Sequence, residues 1–297
     1  MSDERKPEFI IIGAVKAATT WTALQLDKNP SLFVPGPEPH YFSTEYHQGK
    51  EWYDRFFDTA AETAIIGEKS ADYLAHPKAA ERIAADLPDT KLIVQLRNPV
   101  DRAYSDYCML YRRGTIRQSP EEYFNAKNEY QTRFLRGGLY AENLKTFFDR
   151  FSQDKILALL FEDIKDRPEW ALDQVSAHIG VATHIEEENL TTRQNDSAAP
   201  LLPLPVRRAL KPFKKMVEPL RGQPIFEAVR GAFARELQYP PLGADACSFL
   251  QNYYREDIEK LGKMINRDLS AWLNIATPDA ERSPRMSAIQ KAGTQSS

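Results

Sequence analysis

Cysteine is scarce in this chain: Cys108 and Cys247 stand far apart, with no CxxC spacing and no histidine cluster beside them. That argues against a disulfide framework or a structural zinc site, and makes a reducing compartment the expectation. Long hydrophobic runs are missing too. The apolar stretch Phe9–Ile12 follows the charged opening MSDERKPEF. It is far shorter than the roughly 18 residues a membrane span needs, and no signal-peptide core precedes it. The expectation is a cytoplasmic chain with no membrane span. Charge of one sign is also lacking. The net charge of −3 gives no excess that would attract nucleic acid, so any site for an anionic ligand has to be local. Histidine is limited to five residues, which keeps the candidates for a neutral-pH base few.

What is present is an alternation. Short aliphatic runs at Phe9–Ile12, Ala64–Gly67, Lys91–Leu96 and Lys155–Leu160, with a shorter one at Leu32–Val34, read as strands. Amphipathic stretches between them read as helices over about Thr20–Asn29, Trp52–Phe57, Pro77–Asp86, Pro99–Arg112 and Tyr140–Phe151. Fully apolar strands alternating with helices predict an α/β fold, a central parallel sheet covered on both faces. Ligands of such sheets bind at the carboxyl ends of the strands. From about Val181 the pattern changes to a polar and then Pro-rich stretch. Arg207, Arg208, Lys211, Lys214, Lys215 and Arg221 follow, either a solvated helix face or a site for an anionic acceptor. A helix pair over about 244–273 gives a helical C-terminal portion. One domain over 1–277 and a disordered tail over 278–297 are expected.

After the first strand comes Gly13-Ala14-Val15-Lys16-Ala17-Ala18-Thr19-Thr20-Trp21 and then a helix. A strand, a loop of small residues and a helix start present backbone N–H groups to a phosphate, though an ordinary βα turn looks the same. Lys16 adds a cation, Thr19 and Thr20 add hydroxyls. A Walker A loop needs Ser or Thr directly after its Lys to hold magnesium, and Ala17 stands there instead. The strand at Lys91–Leu96 runs into Arg97-Asn98-Pro99, where Asn98 suits an N-cap and Pro99 a first helical position. Arg97 and Ser105 would then suit a second, dianionic phosphate, unless Arg97 is a structural ion-pair residue.

FIIIGAVKAATTW resembles the 5′-phosphosulfate loop of the sulfotransferases that use PAPS (3′-phosphoadenosine 5′-phosphosulfate), and LIVQLRNPVDRAYSDY resembles their 3′-phosphate motif. GGLYAENLKTFFDRF, ILALLFEDI and NRDLSAWL are similar to later family segments, so the resemblance spans roughly residues 8–275. It implies a P-loop-like sheet, PAPS as donor and PAP (adenosine 3′,5′-bisphosphate) as product. It also implies that Lys16, Ala17, Ala18, Thr19, Thr20 and Trp21 hold the 5′-phosphosulfate, and that Arg97 and Ser105 hold the 3′-phosphate. Trp21 and Tyr140 would lie near the adenine. The chain departs from the family at Ala18, where Gly is frequent; Ala is less free than Gly to adopt positive φ.

For the chemistry, Glu38-Pro39-His40 places a carboxylate and an imidazole two residues apart, on one side of an extended segment. By itself Glu38 could be a solvated loop carboxylate. PEPHYFS and GEKSADYL resemble segments of the heparan sulfate type of sulfotransferase, in which that Glu is the general base and that Lys faces the reaction centre. The cytosolic small-molecule type carries a Lys-Thr-His base where Ala71 stands. The resemblance therefore implies Glu38 as base aided by His40, Lys16 and Lys69 as stabilising cations, and no metal. The acceptor would be a saccharide or small molecule, sulfated on a hydroxyl or an amine. With no anchor or leader, a bacterial source is expected. The alternatives are an ATP-dependent P-loop phosphotransferase and a non-catalytic nucleotide-binding protein on the same fold.

Overall fold

The computed structural model describes residues 6–124, 131–186, 202–206, 234–235 and 237–273. The basic group at 207–221 and the tail at 278–297 lie outside them.

Five parallel strands, β1 (Phe9–Gly13), β2 (Leu32–Phe33), β3 (Ile65–Lys69), β4 (Lys91–Leu96) and β5 (Ile156–Leu160), form one sheet in the order β2-β3-β1-β4-β5. The sheet is the one the aliphatic runs predict, because a strand buried on both faces has no polar side to expose. All five residues of β1 are buried, and alternate side chains of the strand enter different cores. Ile10 and Ile12 join the larger core with Tyr73, Val94 and Tyr107; Phe9 and Ile11 join the smaller one with Trp21 and Ile93. Gly67 of β3 is required by this layering: a Cβ there would sit 2.0 Å from the Phe9 ring.

The helices are α1 (Thr19–Leu26), α2 (Lys50–Asp54), α3 (Ala79–Asp86), α4 (Pro99–Arg113), α5 (Pro120–Tyr123), α6 (Gln131–Phe134), α7 (Tyr140–Phe148), α8 (Phe161–Asp166), α9 (Pro168–Ile179), α10 (Ala244–Met264) and α11 (Ser270–Leu273). Asn98 caps α4 as expected, its Oδ1 accepting the Val100 N–H at 3.0 Å, and Gly114 closes the helix in the left-handed conformation. The predicted helix at Trp52–Phe57 is α2 followed by a 3₁₀ turn, Arg55–Phe57. Helices α5, α6, α8 and α9 are not among those expected from the sequence; α8 follows β5 with no intervening loop residue. The three central strands β3, β1 and β4 end at Lys69, Gly13 and Leu96 on the same, carboxyl end of the sheet, where the segment 70–72, the phosphate loop and Arg97 begin. At Gly13 (φ +150°) a Cβ would lie 2.8 Å from the Ala71 carbonyl, so the loop and segment 70–72 touch backbone to backbone.

Cys108 and Cys247 are both buried free thiols. Among the described residues no helix is long and apolar enough to cross a membrane.

Candidate active site

The loop between β1 and α1 takes its shape from two left-handed residues, Lys16 (φ 71°) and Ala18 (φ 67°). Ala18 occupies the N-cap of α1 without a side-chain cap, which leaves first-turn N–H groups without a capping acceptor, as an anion-binding helix start requires. The Ala that the sequence made doubtful adopts the glycine-like conformation nonetheless, a strained choice for a residue with a Cβ. Ala17 is fully buried, as are Thr19 and Trp21, nearly so; Thr20 is half-exposed.

Lys16 reaches toward α4, its Nζ 3.9 Å from the Met109 sulfur. Burial lowers its pKa, opposed by the charge of Asp106 and reinforced by Arg97 and Arg113. Arg97 donates to the Lys16 carbonyl at 3.4 Å and lies over the Phe161 ring, 4.6 Å from its centre. Among the described residues neither Lys16 nor Arg97 has a carboxylate within ion-pair distance, so this cluster of positive charge is open to an anion. The structural ion-pair alternative for Arg97 is therefore not what the structure shows. Ser105 stands half-buried in the second turn of α4.

Across the loop lies the acid–base group. Glu38 Oε1 accepts from Lys69 Nζ at 2.5 Å and Glu38 Oε2 from the Ala71 N–H at 2.9 Å. Lys69 Nζ also donates to Thr20 Oγ1 at 3.3 Å, which ties the carboxylate to the first turn of α1. His40 does not continue an extended segment. It adopts φ 53°, its N–H donates to Ser70 Oγ at 3.0 Å, and its ring Nδ1 sits 2.7 Å from Asp72 Oδ1. The left-handed turn wins because it gives the imidazole a carboxylate partner, and His tolerates that region better than most residues. The hydrogen bond to Asp72 raises the His40 pKa, burial opposing it. Burial raises the Asp72 pKa, but the bonds from His40 and Ser43 outweigh it and hold the carboxyl below its usual value. Ligand atoms of Glu38, His40 and Asp72 all lie within 4.8 Å of one another, and the Lys69 ammonium brings positive charge to that group.

Beneath this layer sits Glu68, fully buried in β3, which sequence reasoning missed. Its Oε2 accepts from the Tyr53 hydroxyl and its Oε1 from Ser70 Oγ at 2.7 Å. Burial pushes its pKa up to about 7 against these hydrogen bonds. Only an acidic residue at an inward position of a strand otherwise apolar on that face signals it in the sequence.

Comparison with known proteins follows the same lines. Residues 46–185 match the model of the sulfotransferase family. The crystal structure of a sulfotransferase from Alicyclobacillus acidocaldarius superposes with a TM-score of 0.65 at 24% identity, covering 91% of this chain and 99% of that one. In sequence and in fold, the chain resembles the sulfotransferases. Within them it is similar to the heparan sulfate type. The mouse bifunctional heparan sulfate N-deacetylase/N-sulfotransferase 3 is 26% identical over 91% of this chain and 31% of its own length. Mouse heparan sulfate glucosamine 3-O-sulfotransferase 3A1 is 31% identical over 63% of this chain and 49% of its own length. The chain thus spans about a quarter to a half of the length of the curated relatives it matches.

On this sulfotransferase fold the residues expected from sequence divide into three groups. Thr20, Lys69 and Glu38 are joined by hydrogen bonds, while Lys16, in the same loop, turns its ammonium toward Met109 of α4. Arg97 adjoins the loop through the Lys16 carbonyl. Tyr140 differs from its expected part: its side chain has no exposed surface, and its hydroxyl donates to the Arg97 carbonyl at 2.9 Å. Through that hydrogen bond it holds the Arg97 backbone in place. Trp21 likewise turns its ring into the smaller core.

Proposed function

We propose that the protein transfers a sulfuryl group from PAPS to a hydroxyl or amine of a saccharide or glycosylated natural product, with Glu38 as general base. The observation that carries this reading is the linkage Glu38–Lys69–Thr20, which sets a carboxylate base and a cation at the edge of an anion-binding loop. A kinase reading has less support, since Ala17 follows Lys16 where the magnesium-binding hydroxyl would be.

PAPS supplies an activated sulfuryl group on its 5′-phosphate. The α1 N-terminus and Lys16 suit that end, and Arg97 with Ser105 suits the 3′-phosphate. The acceptor oxygen or nitrogen attacks sulfur in line as the bond from sulfur to the bridging phosphate oxygen breaks. Glu38 takes the acceptor proton, and the electron pair of the broken bond stays on the departing PAP. Lys16 and Lys69 offset the charge that develops on the bridging oxygen. His40, its pKa raised by the hydrogen bond to Asp72, stands beside Glu38 and assists it in proton removal. The step as proposed uses no metal.

Calorimetric titration with PAP, ADP and AMP in the absence of magnesium tests the donor. Binding of PAP at least tenfold tighter than of the other two is expected. Equal affinities, or no binding of PAP, would overturn the reading.

A further inference from the structure

The Glu68 side chain is fully buried in β3 and is held by hydroxyls. The Tyr53 hydroxyl donates to its Oε2, Ser70 Oγ donates to its Oε1 at 2.7 Å, and the Tyr73 hydroxyl is close enough to add to them. Lys69, next in the chain, gives its ammonium to Glu38 instead. A carboxylate buried without a cation is costly, and an apolar side chain of similar size would pack the sheet without that cost. What a carboxylate adds is direction. An ionised carboxylate only accepts, so each hydroxyl has to turn its hydrogen inward and its lone pairs outward.

The outward sides of these three residues meet one segment. Ser70 Oγ accepts the His40 N–H at 3.0 Å, and the Tyr73 hydroxyl oxygen accepts the Phe42 N–H at 3.2 Å. Between them the Tyr41 ring stacks on the Tyr53 ring, with 4.4 Å between centres and 13° between planes. Residues 40, 41 and 42 are each gripped by one of the three residues that converge on Glu68. Position 40 needs the grip. His40 holds φ 53°, a conformation that persists where its surroundings over-determine it, and this turn sets the imidazole 2.7 Å from Asp72. We propose that Glu68 is a positioning residue for the acid–base group: through Ser70, Tyr73 and Tyr53 it fixes the backbone of residues 40–42, and so holds the His40 imidazole on Asp72, beside Glu38. An amide at position 68 would bring two N–H hydrogens into a ring of donors and force a hydroxyl to reverse. A reversed Ser70 would turn its hydrogen on the His40 N–H.

Glu68 serves the reaction in this way only if the chain is a sulfotransferase with Glu38 as base, and the readouts separate the two. Glu68→Gln, Ser70→Ala and the double variant, each in the full chain, are compared with wild type. NMR titration follows the His40 imidazole, assigned by its loss in His40→Asn; calorimetry measures PAP binding; and PAPS hydrolysis, with water in the acceptor's place, measures the reaction. Each single variant should bring the His40 pKa down toward its ordinary 6.5 and leave PAP affinity in place. Each should slow PAPS hydrolysis about tenfold or more, part of the roughly 10²-fold that a 1 Å misplacement can cost. Glu68→Gln should do less in the Ser70→Ala background than alone, because the two act through one bond. Failure of the wild-type protein to bind PAP would sink the sulfotransferase reading, while the His40 titration would still report whether Glu68 holds the turn. A His40 pKa unmoved in both single variants, fully additive effects, or PAP affinity falling in step with hydrolysis would overturn the positioning role and leave Glu68 a packing residue.

Discussion

Glu38 is fixed on both oxygens before any acceptor arrives, by the Lys69 ammonium at 2.5 Å and the Ala71 N–H at 2.9 Å. A carboxylate has about four lone-pair positions, so two remain for a proton. Glu38→Gln preserves size and the contact to Ala71 but cannot take that proton; turnover should fall by about 10²-fold or more, the usual scale for losing a general base, with PAP affinity retained. Steady-state kinetics beside calorimetry decides it, and unchanged turnover would remove Glu38 from its role. His40 gives a second residue-level expectation. Its folded pKa lies above 6.5, so the His40–Asp72 pair contributes stability fully below pH 6.5 and loses it as pH rises through the folded value. Asp72→Asn should lower the His40 pKa, read directly from an NMR titration of the imidazole. The residues themselves were legible in PEPHYFS and GEKSADYL, but their arrangement was not. An extended Glu38–His40 segment was the natural reading of a Pro-containing stretch; the left-handed turn at His40 depends on Asp72, 32 positions later, and no local pattern announces it.

At the scale of elements, β3 combines structural and chemical duties in adjacent residues. Lys69 faces the site, and Glu68 faces inward beneath it, held by Tyr53 and Ser70. Because the folded pKa of Glu68 is raised to about 7, the folded state keeps a proton that the unfolded chain releases near 4.5. The protein should therefore lose stability as pH rises from about 4.5 to about 7, by up to about 1.4 kcal/mol per pH unit from this group alone, and level off above. Glu68→Gln removes the ionisation and should flatten that slope. Urea denaturation at pH 5, 6 and 8 checks it; a slope identical in the two proteins would show that Glu68 titrates normally. The strands and most helices were legible because a doubly covered sheet writes itself as apolar runs separated by amphipathic ones. Helix α8 escaped because it starts directly from β5, without the turn residues that mark a boundary. The Glu68 network was not legible, since Tyr53, its partner, comes from a different element, α2, with no pattern linking the two positions.

Across the whole molecule, helix α10 is linked to Arg97 through α7 without touching it. Asp257 of α10 accepts the Ala141 and Glu142 N–H groups, each at 3.0 Å, and so caps α7 from a different part of the chain. Burial raises the Asp257 pKa, opposed by the backbone N–H groups it accepts. Helix α7 begins at Tyr140, whose hydroxyl holds the Arg97 carbonyl, and α11 adds the Trp272 carbonyl on Asn98 at 3.5 Å. Arg97 is thereby set in place by the far end of the sequence. Arg97→Ala should weaken PAP strongly and leave AMP, which lacks the 3′-phosphate, nearly unchanged. Asp257→Ala should destabilise the fold by roughly 1–2 kcal/mol, the scale of a lost helix cap, and should reproduce the Arg97→Ala selectivity in milder form. Asp257→Asn keeps one acceptor and should lie between the two. Urea unfolding together with PAP and AMP titrations separates the contributions. If Asp257→Ala reduced PAP and AMP affinity equally, the helix would be supporting the sheet in general; a loss confined to PAP would mean that α10 aligns Arg97 for the 3′-phosphate.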